Sequence, residues 1–426
     1  MKYKKYPSYK HCGVEWLGEI PSDWNITKVK HKFLLGRGRV ISLEGLDEDG
    51  EYPVYSSQTK NNGILGYINS YDFDCKQITW TTDGANAGTV FLREGKHNCT
   101  NVCGTLLPIK KNENLEYLTY TLGYATTFYK RPDTNGAKIM NGEMSEIFLT
   151  FPPVEEQQQI ANFLDKATAK IDTLIEKQTK LIELLKEKRQ AVISHAVTKG
   201  INPNVPMKDS GVEWLGVIPE HWEVKKLGLI TSKIGSGKTP RGGSEVYSDS
   251  GILFLRSQNI YDDGLFLDEV VYISEEINNE MLNTQIKDGD ILLNVTGGSI
   301  GRTCLIPSNF QKANVNQHVC IIRLNTKKDR VFISYMMKSA LIKSQIDGIQ
   351  NGAAREGLNF EQISGFKIVL PPQNEQNEIV NYINYKTSKI DTLIEKSKKS
   401  IELLKEKRTA FISACVTGKI DVRELV

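Results

Sequence analysis

The segment of this chain whose residue types come closest to a reactive site is Gly235-Ser236-Gly237-Lys238-Thr239. Its composition is partly that of a nucleotide-binding loop, but the full pattern needs a glycine where the chain has Ser232, and a helix that starts at the Lys-Thr pair. Pro240 follows that pair directly, and two further glycines come soon after. We therefore expect no nucleotide site; such a turn, with Arg241 beside it, could instead hold a nucleic-acid phosphate through backbone N–H groups.

The other groupings of reactive residue types also fall short of a catalytic or metal site. His97, Cys99 and Cys103 are close in sequence, but no second ligand pair follows at a zinc spacing. The glycine strings 84–88 and 297–301 lack the acidic residue about twenty positions on that a dinucleotide or adenosylmethionine fold requires. The six histidines form no ligand or triad pattern. We expect no catalytic residues and no metal in this chain.

Local basic and polar residues are the chemistry that remains. Arg and Lys contact phosphates and guanine, whereas Asn and Gln suit adenine. Solvated loops without any ligand are the alternative interpretation. The basic and aromatic candidates are Lys28, Lys30, Lys32, Arg37, Arg39, Tyr124, Phe128, Tyr129, Lys130 and Arg131, followed by Lys225, Lys226, Lys233, Lys238, Arg241, Arg256, Arg302, Lys312 and Arg355.

An internal repeat organises the elements that must position these residues. Residues 13–24 read GVEWLGEIPSDW and residues 211–222 read GVEWLGVIPEHW. KIDTLIEK at 170–177 recurs unchanged at 389–396, and IELLKEKR at 182–189 recurs at 401–408. The chain is therefore a tandem duplication whose second half is longer.

Each half closes with a stretch that contains neither Pro nor Gly, at 154–199 and 373–417. Each stretch follows a Pro-Pro pair, as expected where a helix begins. Apolar residues recur at spacings of four and three, which predicts a coiled-coil seam. Two helices that each pack only on their own domain are the alternative; we favour an antiparallel pair. The predicted seam comprises Ile171, Ile175, Ile182, Leu185, Ile390, Ile394, Ile401 and Leu404.

Short strand-like runs separated by Gly, Asn and Asp turns predict mixed α and β structure in the remaining parts. Helices are expected at 115–129 and 331–347. Residues 56–59 align with 256–259, 82–88 with 295–301, and 135–137 with 351–353. The turns match better than the strands, so one scaffold could present different contact residues, although neutral drift after duplication would look the same.

Length and composition limit the class of protein to which the chain can belong. The chain has 426 residues with 39% hydrophobic residues, which indicates a folded protein. We expect no membrane span and no signal peptide, because no apolar run is long enough. A cytoplasmic location follows from that expectation. The net charge of +3 does not identify a partner.

The order of these blocks resembles the specificity (S) subunit of type I restriction-modification systems. The matching motifs are GVEWLG-x-IP-x-x-W at the start of each half, then Pro-Pro with Glu156-Gln157 or Glu375-Gln376, then the two repeated helix segments. The motifs run on to residues 198 and 418, so that the resemblance covers nearly the whole chain. Cys12 stands where the second half has Ser210, which changes nothing in the comparison.

The resemblance implies a non-catalytic subunit in which each globular part is a target recognition domain for one half of a bipartite DNA site. The helices would set the spacer and dock two modification subunits, with two restriction subunits in complexes that cut DNA. S-adenosylmethionine, ATP and Mg²⁺ would be bound by those partners, and this chain would hold no cofactor. The regions carried over contain the candidate DNA-contacting residues Ser57, Gln58, Thr82, Asp83, Asn86, Ser236, Lys238, Thr239, Arg241, Arg256, Gln258, Asn259, Thr296, Ser299, Arg302, Asn316, Gln317 and His318.

The predicted fold class is α/β (mixed α+β), with two target recognition domains separated by two long antiparallel coiled-coil helices in pseudo-twofold array. The predicted segments are 1–151 (first recognition domain), 152–201 (central helix), 202–370 (second recognition domain) and 371–426 (C-terminal helix). The partners are double-stranded DNA and modification subunits, and no membrane. A duplicated protein-interaction scaffold without DNA specificity is the main rival, and a self-sufficient nuclease or methyltransferase is the other.

Overall fold

The computed structural model describes residues 3–110, 112–134, 136–325, 330–350 and 357–425. Its packing divides the chain into two compact units. Unit 1 contains the residues up to Thr179 together with those from Lys399 onward, and unit 2 contains Lys180–Lys398. Asn135, the segment 351–353 and Arg355, which the sequence analysis singled out, lie outside the described residues.

Unit 1 is built on a four-stranded antiparallel sheet in the order β10-β8-β12-β4, with a second sheet in the order β6-β5-β11-β7. In the second sheet the central pair, β5 with β11, is parallel. The strands are β1 Tyr9–His11, β2 Glu19–Pro21, β3 Asn25–Lys28, β4 Phe33–Arg37, β5 Tyr52–Tyr55, β6 Ile64–Ile68, β7 Phe73–Asp74, β8 Gln77–Thr81, β9 Asp83–Gly84, β10 Val90–Arg93, β11 Lys96–Cys99, β12 Cys103–Pro108, β13 Arg131–Asp133, β14 Gly136–Lys138 and β15 Phe148–Phe151. The helices are α1 Leu115–Tyr129, α2 Asn141–Ser145 and α3 Val154–Lys199.

Unit 2 repeats this arrangement with its own strands. Its four-stranded antiparallel sheet has the order β19-β27-β24-β25, and β20 pairs in parallel with β26 beside it. The strands are β16 Met207–Asp209, β17 Val217–Pro219, β18 Glu223–Lys226, β19 Thr231–Ser236, β20 Ile252–Leu255, β21 Ile260–Tyr261, β22 Gly264–Leu265, β23 Val271–Ile273, β24 Ile291–Asn294, β25 Thr303–Leu305, β26 Ala313–Val315, β27 Val319–Leu324 and β28 Lys367–Leu370. The helices are α4 Glu275–Glu280, α5 Arg330–Met337, α6 Ala340–Gln350, α7 Phe360–Gly365 and α8 Gln373–Val416.

One helix prediction is wrong. The single helix expected at 331–347 is two helices, α5 and α6, which meet at Ser339. The hydroxyl of Ser339 is buried and donates to the carbonyl of Met336 at 2.6 Å, and the backbone N–H of Ser339 bonds to the same carbonyl. This tight turn ends α5, and neither Pro nor Gly marks it in the sequence.

The long helices α3 and α8 run antiparallel within each unit. In unit 2, Arg189 donates to Asp391 at 2.9 Å, and Leu185 packs with Ile390 and Ile394. In unit 1, Arg408 donates to Asp172 at 2.9 Å. Because Arg189 and Arg408 are equivalent in the repeat, as are Asp172 and Asp391, each unit joins the arginine of one repeat to the aspartate of the other.

The predicted mixed fold with two long antiparallel helices is confirmed. The predicted seam positions are buried or half-buried. The buried ones are Ile171, Leu185, Ile390 and Ile394, and the half-buried ones are Ile175, Ile182, Ile401 and Leu404. The alternative of two helices packed only on their own domains is wrong, because Cys415 and Val416 of α8 lie in the core of unit 1. Ile193 and Val197 of α3 lie in the core of unit 2.

The repeated Trp motif anchors the start of each long helix. In unit 1 the Trp24 indole donates to Glu156 at 3.1 Å, and in unit 2 the Trp222 indole donates to Glu375 at 3.1 Å. The residues just after α8 also pack tightly on this motif in unit 1. A Cβ at Gly418 would lie 2.2 Å from a side-chain carbon of Pro21. The four segments predicted from the sequence are not the contact units, and their boundaries stay a prediction.

Candidate nucleic-acid interface

In unit 1 the candidate residues lie on neighbouring turns at one end of the two sheets. Ser57 and Gln58 follow β5, whereas Thr82, Asp83 and Asn86 follow β8. The Asn86 amide donates to the Ser57 carbonyl at 3.0 Å and so joins the two turns. Gln58 donates to the carbonyl of Ile64, which closes its own turn. The Thr82 hydroxyl is turned inward, where it donates to the Val102 carbonyl at 3.1 Å.

Unit 2 joins the equivalent turns in the same way, but with a different residue. Asn294, at the end of β24, donates to the Ser257 carbonyl at 2.8 Å and to the Ser299 hydroxyl at 3.2 Å. Sequence reasoning missed Asn294, because it lies in a strand while its counterpart Asn86 lies in the glycine-bearing turn. The only available signal was its position directly before that turn.

Four segments of unit 2 converge on this point. The N–H of Asn316 bonds to the Leu255 carbonyl at 3.0 Å, and the N–H of Val295 bonds to the His318 carbonyl at 3.0 Å. Gly237 lets a third segment come close, since a Cβ there would lie 1.8 Å from the Val315 carbonyl oxygen. The turns at 236–241, 256–259, 296–302 and 316–318 therefore lie next to one another in unit 2.

A short polar chain crosses that surface. The Thr296 hydroxyl lies 2.6 Å from His318 Nδ1, and the Gln317 amide lies 2.9 Å from His318 Nε2. The backbone N–H of His318 in turn donates to the Asn316 side chain at 3.2 Å. These contacts fix the orientation of the imidazole and present the exposed Gln317 beside it.

Exposure separates the candidates into three groups. Asn259 is fully buried, and its amide donates to the carbonyls of Phe266 and Glu269, so that it supports the turn instead of facing solvent. The exposed candidates are Lys238, Thr239, Arg241, Gln258 and Gln317; the half-buried ones are Ser57, Gln58, Asp83, Asn86, Ser236, Arg256, Thr296, Ser299, Arg302 and His318; the buried ones are Thr82, Asn259 and Asn316.

Several of the predicted basic residues are engaged with carboxylates of the protein. Lys28 and Lys30 share Glu146, and their hydrogen bonds lower the pKa of that carboxyl to about 2. Arg39 pairs with Asp72 at 2.8 Å. In unit 2, by contrast, the Arg302 guanidinium lies over the Tyr261 ring at 4.7 Å, which leaves a half-exposed cation on an aromatic support.

The segments that suggested nucleotide or metal chemistry lack the geometry of such sites. β19 ends at Ser236, and the described residues after it form turns and a short 3-10 segment at Gly243–Val246, with no α-helix starting at Lys238. His97 is buried and bonds to the Gly95 carbonyl, and desolvation lowers its pKa. Burial raises the pKa of the Cys99 and Cys103 thiols. Within the described part of the chain, no group of three or more metal-ligating side chains could hold an ion.

No helix of the described residues has the length and apolar content needed to cross a membrane.

Comparison with known proteins places these features in a family. The model of the type I restriction modification DNA specificity domain matches residues 21–184 and again residues 219–403. The chain is 27% identical, over 95% of its own length and 95% of the relative, to the type I restriction enzyme MjaVIII specificity subunit of Methanocaldococcus jannaschii. It is 26% identical, over 99% of each chain, to the putative MjaX specificity subunit of the same organism.

A solved structure has the same fold. That structure concerns the complex assembly and conformational transition of the type I restriction-modification system. The TM-score is 0.68 at 14% identity, and the match covers 93% of this chain and 98% of that one. The two relatives and this solved structure therefore each match nearly the entire length of the chain.

Proposed function

This chain belongs to the type I restriction-modification DNA specificity family, and we propose that it is the DNA-sequence-recognition subunit of such a complex. Each unit reads one half of a bipartite double-stranded DNA site. The observation that carries this proposal is the pair of equivalent surfaces at Ser57–Asn86 and Ser257–Ser299. Asn86 and Asn294 each donate to a serine carbonyl and so join the turns of their surface in the same way. The exposed residues around the two contacts differ.

The long helices set the distance between the two half-sites and dock two modification subunits. Each unit exposes the same two leucine positions of the repeat, Leu174 with Leu403 in unit 1 and Leu393 with Leu184 in unit 2. Each of these side chains is 47–55% exposed. Two equal surfaces on one chain suit two copies of one partner. The seam isoleucines are shielded, so docking uses these outer leucines.

The chain itself holds no active site or cofactor. S-adenosylmethionine, ATP and Mg²⁺ act on the modification subunits and, in complexes that cut DNA, on two restriction subunits. The match of both halves to the DNA specificity domain supports this view. The complex works in the cytoplasm, where its DNA is.

A binding titration tests the proposal against a protein-only scaffold. The chain with its modification subunits is expected to bind a specific duplex, and the logarithm of affinity should fall steeply with the logarithm of salt concentration. Binding that does not distinguish any sequence would contradict the proposal and favour the scaffold. Methyl transfer by the isolated chain would contradict its non-catalytic role.

Deleting one heptad from each long helix tests the spacer role. Seven residues correspond to about 10 Å of helix, which is about three base pairs of DNA. The spacer should shorten by about that amount, while both half-sites stay the same. The control is a heptad deleted from one helix only, which moves Arg189 or Arg408 out of register and should abolish specific binding. Altered half-sites in the double deletion would overturn the spacer assignment.

A further inference from the structure

The turn between β5 and β6 of unit 1 has an unusual backbone. Asn61 and Asn62 adopt φ values of 48° and 50°, and Gly63 follows at 80°. Three consecutive residues are therefore left-handed, a conformation that costs an L side chain free energy and that glycine adopts readily. Asn tolerates it better than most residues, yet two side chains are kept where glycine would relieve the strain. Strain of this kind often accompanies a functional turn.

A buried arginine holds the turn from below. Arg93 is 2% exposed and donates to the Asn62 carbonyl at 2.7 Å and to the Thr79 hydroxyl at 3.2 Å. Its guanidinium lies between the Tyr55 ring, at 3.6 Å, and the Phe91 ring, at 4.3 Å. None of the described carboxylates forms an ion pair with Arg93, so its positive charge stays uncompensated beneath the turn.

The upper side of the same turn is open. Lys60, Asn61 and Asn62 are all exposed, and Gln58 at the base of the turn is half-buried. A cation and two amides thus stand over a buried positive charge, next to the Ser57–Asn86 contact. The exposed Lys60 ammonium can bind a phosphate oxygen of DNA, and an Asn amide can form two hydrogen bonds to an adenine edge.

In unit 2 the longer connection between β20 and β23 contains the hairpin β21–β22, whose turn is acidic. Asp262-Asp263-Gly264 follow Ser257-Gln258 much as Asn61-Asn62-Gly63 follow Ser57-Gln58. Asp262 accepts from the Thr303 N–H at 3.0 Å, and Asp263 lies 3.3 Å from Arg189 of α3. Two aspartates are poor ligands for a polyanion, so we do not assign DNA contacts to this turn of unit 2.

We propose that Lys60, Asn61 and Asn62 form a base-reading turn that belongs to unit 1 alone, with Arg93 as its positioning residue. This inference rests on the proposed function, since it assigns part of one half-site to this turn. Lys60 contacts phosphate, and the two amides contact base edges in the major groove. Unit 2 reads its half-site without this turn, through the surface that includes Gln317 and Arg302.

The test replaces both asparagines by glycine in the full chain assembled with its modification subunits. Glycine adopts the left-handed backbone without strain, so Asn61→Gly/Asn62→Gly removes the two amides while the turn can keep its conformation, although its backbone becomes more flexible. A random-sequence duplex library is incubated with the complex, and the bound duplexes are sequenced. We expect discrimination at one or more base pairs of one half-site to fall about tenfold or more, while the other half-site is unchanged.

Two further variants separate contact from support. Lys60→Gln should weaken binding to all duplexes alike and reduce the salt slope by about one. Arg93→Lys keeps a cation but loses the planar fork and both ring contacts, so it should relax the same base pairs as the glycine variant. A merely structural role for Arg93 would weaken binding without changing the base preference, and would remove Arg93 from the proposal.

The matched control is Asn309→Gly in unit 2. Asn309 is also exposed and left-handed, with φ of 59°, and it lies outside all candidate surfaces. It should leave both half-sites unchanged. A glycine variant of unit 1 that selects the same half-sites as the wild type would overturn the base-reading turn and leave the proposed function standing. A wild-type complex that selects no sequence would overturn both.

Discussion

Trp16 of unit 1 and Trp214 of unit 2 occupy the same position of the repeated segment, but their surroundings differ. Trp16 stacks on Phe128 with a ring distance of 5.0 Å and meets Tyr124 edge-on. Trp214 is 56% exposed. Unit 1 supplies two aromatic rings from α1, whereas unit 2 has the broken pair α5 and α6 in its place. An unchanged motif can therefore have a different role in each unit, because the neighbouring elements diverged.

The two units also differ in the chain segments that build them. Unit 2 is one continuous segment, whereas unit 1 is closed by the residues from Lys399 onward. Cys415, Val416 and Val422 of that last segment are buried with Trp24 and Leu164. The same motifs thus produce a continuous and a discontinuous unit, which should respond differently to the same change.

Removing the residues from Lys399 onward should have the largest effect. Unit 1 loses part of its core, and we expect a loss of more than about 5 kcal/mol, enough to unfold it. Unit 2 keeps every residue and should stay folded. Hydrogen exchange measures the contrast, since the amides of β8 should lose protection while those of β24 keep it. Equal loss in both sheets would mean that the two units fold as one.

Replacing the anchoring tryptophans should have the next largest effect. Trp24→Ala and Trp222→Ala each remove a fully buried indole and leave Glu156 or Glu375 without its indole donor. Each change should lower the free energy of unfolding of its own unit by about 3–5 kcal/mol. Thermal unfolding followed by circular dichroism measures it. A Trp16→Ala variant is the control, because that ring is only partly buried.

The helix ion pairs should show a smaller difference between the units. Arg189 contacts both Asp391 and Asp263, whereas Arg408 bonds to Asp172. These groups are partly exposed, so we expect Arg189→Ala to cost about 1 kcal/mol and Arg408→Ala about 0.5 kcal/mol. The melting temperatures should converge with wild type in high salt. Exchanging the charges of Arg408 and Asp172 should restore most of the loss caused by Arg408→Ala.

The titration of Glu156, which lies in unit 1, should produce the smallest effect. Desolvation raises the pKa of Glu156 above its ordinary 4.5, and the hydrogen bonds from Tyr6 and Trp24 only partly offset this. A raised carboxyl pKa stabilises the fold at low pH, and this contribution is lost as pH rises through the folded-state pKa. Unit 1 of the Glu156→Gln variant should therefore lack this part of the pH dependence. Melting curves across mildly acidic pH would measure it, and an unchanged dependence would contradict the assignment.

The sequence predicted the long helices and their antiparallel pairing, but not the contacts between turns. The long helices were predictable because apolar spacing and the absence of Pro and Gly are local signals, whereas the helix at 115–129 forms although it contains Gly123. The break at Ser339 has no such signal. The shared role of Asn86 and Asn294 was not predictable either, because the two residues do not align and only the fold brings each to a serine carbonyl. Arg93 was missed because an arginine in a strand is ordinarily expected at the surface.

The discontinuity of unit 1 has a consequence for the order in which the chain is made. The ribosome synthesises the sheets of unit 1 early. About 220 further residues must then be added between Thr179 and Lys399, where the second segment of unit 1 begins. At usual elongation rates that interval lasts about ten to forty seconds. During it, the surface around Trp24 and Leu164 lacks its cover from Cys415 and Val416. Unit 2 can fold in that time, so unit 1, whose synthesis begins first, is completed only by residues that emerge after unit 2.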